Sequence, residues 1–299
     1  MKIAIAGGTG FVGKHLTRKL TERGDTIYIL TRHPERYHDT DKVRYIGWLK
    51  KGKQPDKQLP KLDAIINLAG DSLFGYWTKS KKDRIYQSRI NATYEINELI
   101  RNMNEKPEVL VNASAIGYFG TSTYHTYTES DNESGNDFLA EVTEAWEDTA
   151  QQAKAEGVRT VITRFGVILG TEGALPLMAL PFKFYIGGRI GTGDQWISWV
   201  HIKDVVDMII FSIEHPHIEG PLHVTSPNPV TNREMSKKLA EVLGKPNWLP
   251  VPRILLKILL GEMSILVVKG QKVLPEKAAL SGYNFNHPDV KDALSKIFK

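Results

Sequence analysis

Apolar positions along the first two thirds of the chain fall into two alternating patterns. Short β-branched runs at Lys2–Ala6, Thr26–Leu30, Val43–Gly47, Ala64–Leu68, Val109–Ala113 and Thr160–Arg164 read as strands. Between them, Phe11–Arg23, Lys81–Met103 and Phe138–Ala155 carry apolar residues three and four positions apart, which is the stripe of an amphipathic helix. Strand and helix in this alternation predict βαβ units, and hence a parallel, doubly wound sheet.

From Thr171 the texture changes to Gly, Pro and aromatic residues, with Gly173, Pro176, Pro181, Gly187, Gly188, Gly191 and Gly193. An irregular stretch of that length usually builds a site or its lid. Regular patterns return with a helix at His201–Glu214 and a short strand at Leu222–Thr225, and Thr231–Leu243 begins a smaller helical segment. The expected organisation is a nucleotide-binding domain over residues 1–170, rejoined by 201–226. Residues 171–200 and 227–299 then form a substrate-side, mainly helical C-terminal domain. No repeat of 20 to 50 residues is present.

Composition narrows the class without naming a function. With 41% hydrophobic and 24% charged residues over 299 positions, the chain is an ordinary globular one, and disorder is excluded. The absence of cysteine removes disulfides, thiolate nucleophiles and thiolate metal sites, and no His-x-x-x-His pair suggests a metal. The start of the chain lacks a signal-type apolar block, so the cytoplasm is the expected compartment. The most apolar stretch, Ile254–Val268, is broken by Lys257, Gly261 and Glu262, so no membrane span is expected. With Lys257 its sole base before Lys269, it reads as a core or dimer-forming helix in preference to a membrane-surface one. The net charge of +5 comes largely from Lys42–Lys61 and Lys79–Lys82, where Tyr45 and Trp48 are the only interleaved aromatics. That is a solvated face attracting an anionic small molecule more than a platform for nucleic acid.

Chemistry enters directly after the first strand. Gly7, Gly8, Thr9, Gly10, Phe11, Val12 and Gly13 satisfy G-x-G-x-x-G at the opening of the first helix. A dinucleotide needs glycine here because the strand must turn sharply, a Cβ would obstruct the pyrophosphate, and helix N–H groups must face its oxygens. The fold class is therefore a Rossmann-type α/β sheet. About twenty residues on, where an NAD site usually places an acid, the second strand runs into Thr31 and Arg32, and the next acid, Glu35, lies beyond Pro34. An arginine there pairs with a 2′-phosphate, which favours NADP over NAD, although a surface arginine at a strand end is also common. His33 and Arg36 either share that phosphate or face water.

These loops, with Asn67-Leu68-Ala69-Gly70 and Ser114-Ala115-Ile116-Gly117-Tyr118-Phe119-Gly120, resemble the extended short-chain dehydrogenase/reductase proteins. Other stretches resemble more narrowly the atypical nucleotide-sugar epimerase-like family. They are Trp77, Ser88-Arg89-Ile90, Phe138-Leu139-Ala140-Glu141 with Trp146-Glu147, and Gln195-Trp196 through Trp199-Val200-His201-Ile202-Lys203-Asp204. That family ends in a small domain of unknown function, to which Gly270–Pro275 and Gly282–Phe285 are similar. The resemblance implies that Leu68 and Ala69 lie under the cofactor, that Arg89 reaches it, and that Ile168 lines its nicotinamide end. Ordinary core packing accounts for the aliphatic residues nearly as well.

One departure matters. Extended members use a tyrosine followed four residues later by a lysine that lowers the phenol pKa, and no tyrosine of this chain has that lysine. Phe138-Leu139-Ala140-Glu141-Val142-Thr143 stands where the pair should be. Ser114 and Tyr118, at the end of a central strand, are the candidate catalytic hydroxyls, with packing against the nicotinamide as the alternative role. Glu129-Ser130-Asp131 and Asp204 read as caps before proton carriers, and His201 as a structural histidine. The sequence thus points to an NADP-dependent oxidoreductase or epimerase acting on a small, anionic or sugar-nucleotide substrate. The rival is a non-catalytic NADP-binding module whose C-terminal domain engages a protein.

Overall fold

The computed structural model describes residues 1–50 and 52–299, so Lys51 of the basic run lies outside the described residues. Seven strands form the main sheet: β1 Lys2–Ala6, β2 Thr26–Thr31, β3 Val43–Gly47, β4 Ala64–Asn67, β5 Val109–Ala115, β6 Arg159–Phe165 and β7 Gly220–Val224. They run in the order β7-β6-β5-β4-β1-β2-β3, and every neighbouring pair is parallel. Strand order therefore reverses beside β1, and the crevice at such a point, outside the strand carboxyl ends, is where ligands bind open α/β sheets.

Helices cover both faces. The α1 helix (Phe11–Arg23) contributes Leu16 and Leu20 to a fully buried layer with Ile3, Ile5 and Ile27 of the sheet and Val205 and Ile209 from a later helix. On the opposite face, α2 (Lys79–Asn102) presses Ile96 and Ile100 onto Ile65 and Leu110. The α3 helix (Phe138–Gln151) packs beside it, started by Asp137, whose carboxylate accepts the Leu139 and Ala140 N–H groups. A 3-10 turn at Gln152–Glu156 continues what the periodicity gives as one helix.

The stretch from Thr171 is less irregular than its composition predicts, for it contains α4 (Ala174–Lys183). Pro176 falls in the first turn, where its missing N–H costs nothing, and Pro181 lies near the end. Leu175, Ala179 and Phe182 then bury against Trp199 and against α6 (Asn232–Leu243), together with Val290–Phe298. Between them, α5 (Ile202–Glu214) returns the chain to β7, and His201 caps it by accepting the Lys203 N–H.

Two acids tie residues 277–287 to the rest of the fold. Asp204, buried at the start of α5, accepts the Tyr283 hydroxyl at 2.9 Å and the Asn286 and His287 N–H groups at 2.7 and 3.0 Å. Glu129 likewise accepts the N–H groups of His223 and Lys277. Neither is a cap or an open proton carrier: the acceptors of each are taken by N–H or O–H groups of segments far along the chain. Another correction concerns Ile254–Val268. Its first half is a helix, Arg253–Leu260, that buries none of its residues, so it is not a core helix. Among the described residues no helix is long and apolar enough to cross a membrane, and no cluster of metal-binding side chains is present.

Candidate functional site

The glycine loop turns at Gly7, whose φ of +77° is open to glycine at little cost. A Cβ there would also meet the Leu68 carbonyl at 2.7 Å, so the loops after β1 and β4 touch through glycine. At Gly13 a Cβ would lie 2.3 Å from Gly7 O, which forces glycine for helix packing alone. Gly10 differs. An added Cβ would meet a single atom, Gly7 O at 3.3 Å, and otherwise open space. The protein itself scarcely requires glycine at that position, but an approaching pyrophosphate does. Gly10 also starts α1 without a side-chain cap and without an acid in the first turn, so the helix N–H groups stay available to an anion. These features fit a dinucleotide.

The other cofactor candidates gather around this loop. Leu68 N donates to Ala6 O, and Ala69 N donates to Asn67 Oδ1, which fixes both residues beside the glycines. The Phe11 ring fills the space in front of Gly170, where a Cβ would come within 2.5 Å of it. Ile168 lies two residues before, in a short strand paired with Trp199–His201. Val12 is half-buried in the first turn of α1, and Thr9 is half-buried in the loop. At the end of β2, Thr31 accepts from His33 N, and Arg32 is exposed with no side-chain hydrogen bond or ion pair among the described residues. His33 is held by Glu35 at 2.9 Å, with Lys50 3.3 Å away, while Arg36 points to solvent. Arg89 donates to the carbonyls of Asp71 and Ile85 and stands over the Trp146 ring, so it braces the loop after β4. Burial draws its pKa down to about 10, with Asp71 opposing, and it remains a cation at neutral pH.

The end of β5 is organised by charges that the sequence reading did not single out. Ser114 and Arg164 are register partners on β5 and β6, facing α3. Both reach Glu147: the Ser114 hydroxyl donates at 2.6 Å, and Arg164 donates Nε and Nη2 at 2.8 Å each, all within the interior. The Tyr118 ring covers Arg164, 3.6 Å from Cζ, and its hydroxyl donates to Asn132 O at 2.9 Å. Burial raises the phenol pKa above its ordinary value, although Arg164 pulls the other way. The structure thus brings Ser114 and Tyr118 to one end of one strand, joined through Arg164 and Glu147. An arginine in the apolar run Thr160–Phe165 was the available signal, because a buried guanidinium demands a buried acid.

Beneath them Asn67 donates to Thr93 and Asn112, and Trp146 Nε1 donates to the same Thr93 hydroxyl. This satisfied network fixes β4, β5, α2 and α3 in one arrangement. From the other side, Gln271 donates to Ile116 O, so the C-terminal segment holds the turn that carries Tyr118. A cleft of about 620 Å³ opens nearby against Trp77 and Phe138, but Asp83, Asp137, Glu141, Glu144 and Glu262 outnumber Lys79 and Lys82 in its lining. Those carboxylates make it a poor seat for an anionic dinucleotide.

The chain is similar to known proteins over nearly all of its length. Residues 3–224 match the NAD dependent epimerase/dehydratase family, and residues 251–297 match a domain of unknown function, DUF1731. The epimerase family protein YfhF of Bacillus subtilis (strain 168) is 49% identical over 297 residues, 99% of this chain and 98% of that protein. The crystal structure of human epimerase family protein SDR39U1 (isoform2) with NADPH superimposes with a TM-score of 0.87 at 27% identity, over 99% of both chains. The nucleoside-diphosphate sugar epimerase from Corynebacterium glutamicum gives a TM-score of 0.80 at 29% identity, over 100% of this chain and 58% of that one.

Proposed function

This chain belongs to the NAD dependent epimerase/dehydratase family, with the atypical pattern and small C-terminal domain read from its motifs. We propose on that premise that it is an NADP-dependent oxidoreductase or epimerase of a small carbonyl- or hydroxyl-bearing substrate, a nucleotide sugar in the first instance. The carrying observation is the open position at Gly10, on the uncapped start of α1, with Arg32, unpartnered among the described residues, at the end of the next strand. Gly7, Thr9, Gly10, Phe11, Val12 and Gly13 hold the pyrophosphate, and Thr31 and Arg32 take the 2′-phosphate. Leu68, Ala69 and Ile168 floor the cofactor, and Arg89 keeps the loop above them in place. Residues 1–170 with 201–226 form the cofactor domain, and 171–200 with 227–299 the substrate side. The bound dinucleotide supplies hydride exchange. Tyr118 exchanges the proton of the substrate oxygen, and Ser114, whose own proton is held by Glu147, orients a substrate hydroxyl by accepting from it.

NADPH in the structure of the human relative supports the choice of cofactor. The test is calorimetric titration with NADPH and NADH, followed by a screen of sugar nucleotides, aldehydes and ketones for hydride transfer. Tighter NADPH and one turned-over substrate support the reading; equal affinities overturn the NADP assignment. A second reading, a non-catalytic NADP-binding module, is favoured by the missing tyrosine–lysine pair and by Tyr118, whose raised pKa and bonded hydroxyl describe a poor base. A folded protein that binds NADPH and transfers no hydride across the screen would establish that reading.

A further inference from the structure

Several large apolar side chains stand exposed on segments that lie side by side. Phe184, Tyr185, Trp248, Ile254, Ile258 and Leu259 are each between 53% and 72% exposed. Large exposed apolar patches on a monomer mark interaction sites. The segments carrying them are bonded to one another. Trp248 Nε1 donates to Tyr185 O at 2.9 Å, Val251 N to Arg189 O at 2.8 Å, and Gly191 N to Val251 O at 2.9 Å. Helix Arg253–Leu260 follows at once and buries none of its residues. Tyr185 is held at a φ of +62°, a conformation a bulky residue adopts only when its surroundings impose it.

Charge says what this face fits. Residues 173–193 and 242–261 contain no Asp or Glu, yet they carry Lys183, Arg189, Lys245, Arg253 and Lys257. Lys245 Nζ bonds the Tyr185 hydroxyl at 2.6 Å, which sets a base at the edge of the apolar side chains. At the borders, Asp194 is paired with Arg233, and Glu262 with Lys82. A second copy meeting this face through its own would bring like charges together without compensation. An anionic lipid surface satisfies both halves: aromatic and aliphatic side chains enter the boundary between headgroups and acyl chains, and the bases stay with the phosphates.

We propose that this face, formed by the end of α4, residues 245–251 and helix Arg253–Leu260, docks the protein on an anionic membrane surface without crossing it. The stretch Ile254–Val268 by itself shows too few bases for such a helix. Folding supplies the rest by placing Lys183, Arg189 and Lys245 alongside.

Co-sedimentation with vesicles of equal parts phosphatidylglycerol and phosphatidylcholine tests this, with pure phosphatidylcholine vesicles as the reference. The full-length protein is expected to partition at least tenfold better onto the anionic vesicles and to be released by high salt. Ile254→Ser with Ile258→Ser, and separately Lys183→Glu with Lys257→Glu, should each lower partition at least tenfold, since each base near the surface contributes about 1 kcal/mol. Thermal melting checks that both variants fold, and the charge-reversal pair decides the matter if the serine pair does not. No partition of the folded native protein, or equal partition onto both vesicles, overturns the proposal. So does a dimer in sedimentation velocity that the serine pair dissociates, for it would assign the face to a second copy.

Discussion

The guanidinium of Arg164 lies over the Tyr118 ring, its Cζ 3.6 Å from the ring centroid, while its other edge holds both oxygens of Glu147. One buried cation thus joins the turn after β5 to the interior of α3. The Ser114 hydroxyl gives its proton to the same carboxylate, so its oxygen is left to act as an acceptor. Any chemistry at this strand end works within that arrangement.

Removing half of the pair should cost more than removing both halves. Glu147→Ala leaves Arg164 buried without a counter-charge and is expected to destabilise the fold by about 3–5 kcal/mol, whereas Glu147→Ala with Arg164→Met should recover part of that loss. Urea unfolding of the two variants measures it. A double variant less stable than the single one would show that the pair contributes beyond mutual compensation.

How much of this was legible in the sequence depended on the range of the interaction. The strands Lys2–Ala6 and Val43–Gly47 and the helix Phe11–Arg23 match the periodicity to the residue, because local pattern and burial agree there. The glycine loop was equally legible, since its spacing is local. Glu147 and Arg164 belong to different elements, and only the β5–β6 register brings Ser114 to them. Ile254–Val268 misled for the same reason, as periodicity reports an apolar stripe without reporting whether anything covers it. Asp204 read as a cap because it stands in a helix start, yet its partners lie about eighty residues onward.

Cofactor preference should rest on Arg32. Loss of one charge-assisted phosphate contact costs about 1.5–3 kcal/mol, so Arg32→Ala is expected to weaken NADPH roughly tenfold or more and to leave NADH nearly unchanged. Calorimetry with both cofactors checks it, and a parallel loss for NADH would move the residue from phosphate recognition to general support of the site.

The glycines should separate binding from folding. Gly10→Val places a side chain in open space and is expected to abolish dinucleotide binding while the melting temperature stays close to native. Gly13→Val would press its Cβ to 2.3 Å from Gly7 O and should unfold the loop or the chain. Retained NADPH binding in folded Gly10→Val would place the pyrophosphate elsewhere.

Acid should destabilise the protein through its histidines. Burial lowers the pKa of His201 from 6.5 to about 4 and that of His223 to about 3, the adjoining His287 ring adding to the effect at His201, with Asp204 and Asp292 opposing. The unfolded chain therefore binds more protons below pH 6.5, so stability is complete above that pH and falls as acid approaches the folded values. His201→Asn keeps a cap for the Lys203 N–H and removes one of these titrations. Its urea midpoint should fall less steeply than that of the native protein between pH 6.5 and 4, and an identical slope would exclude His201 as a source.

Tyr118 decides between an enzyme and a binding module. Its ring packs on Arg164 whichever reading holds, so Tyr118→Phe keeps the stacking and removes only the hydroxyl and its bond to Asn132 O. If that hydroxyl carries the substrate proton, turnover of whatever substrate the screen yields should drop at least about tenfold, because general acid–base assistance typically supplies 10² to 10⁴, while NADPH affinity stays within about threefold. The pH profile adds a readout that packing does not produce, since a phenol raised by burial would set an alkaline limb that the phenylalanine variant lacks. Unchanged turnover and an unchanged profile would remove Tyr118 from the chemistry and leave Ser114, whose oxygen can only accept while its proton is held by Glu147, as the remaining hydroxyl at the strand end.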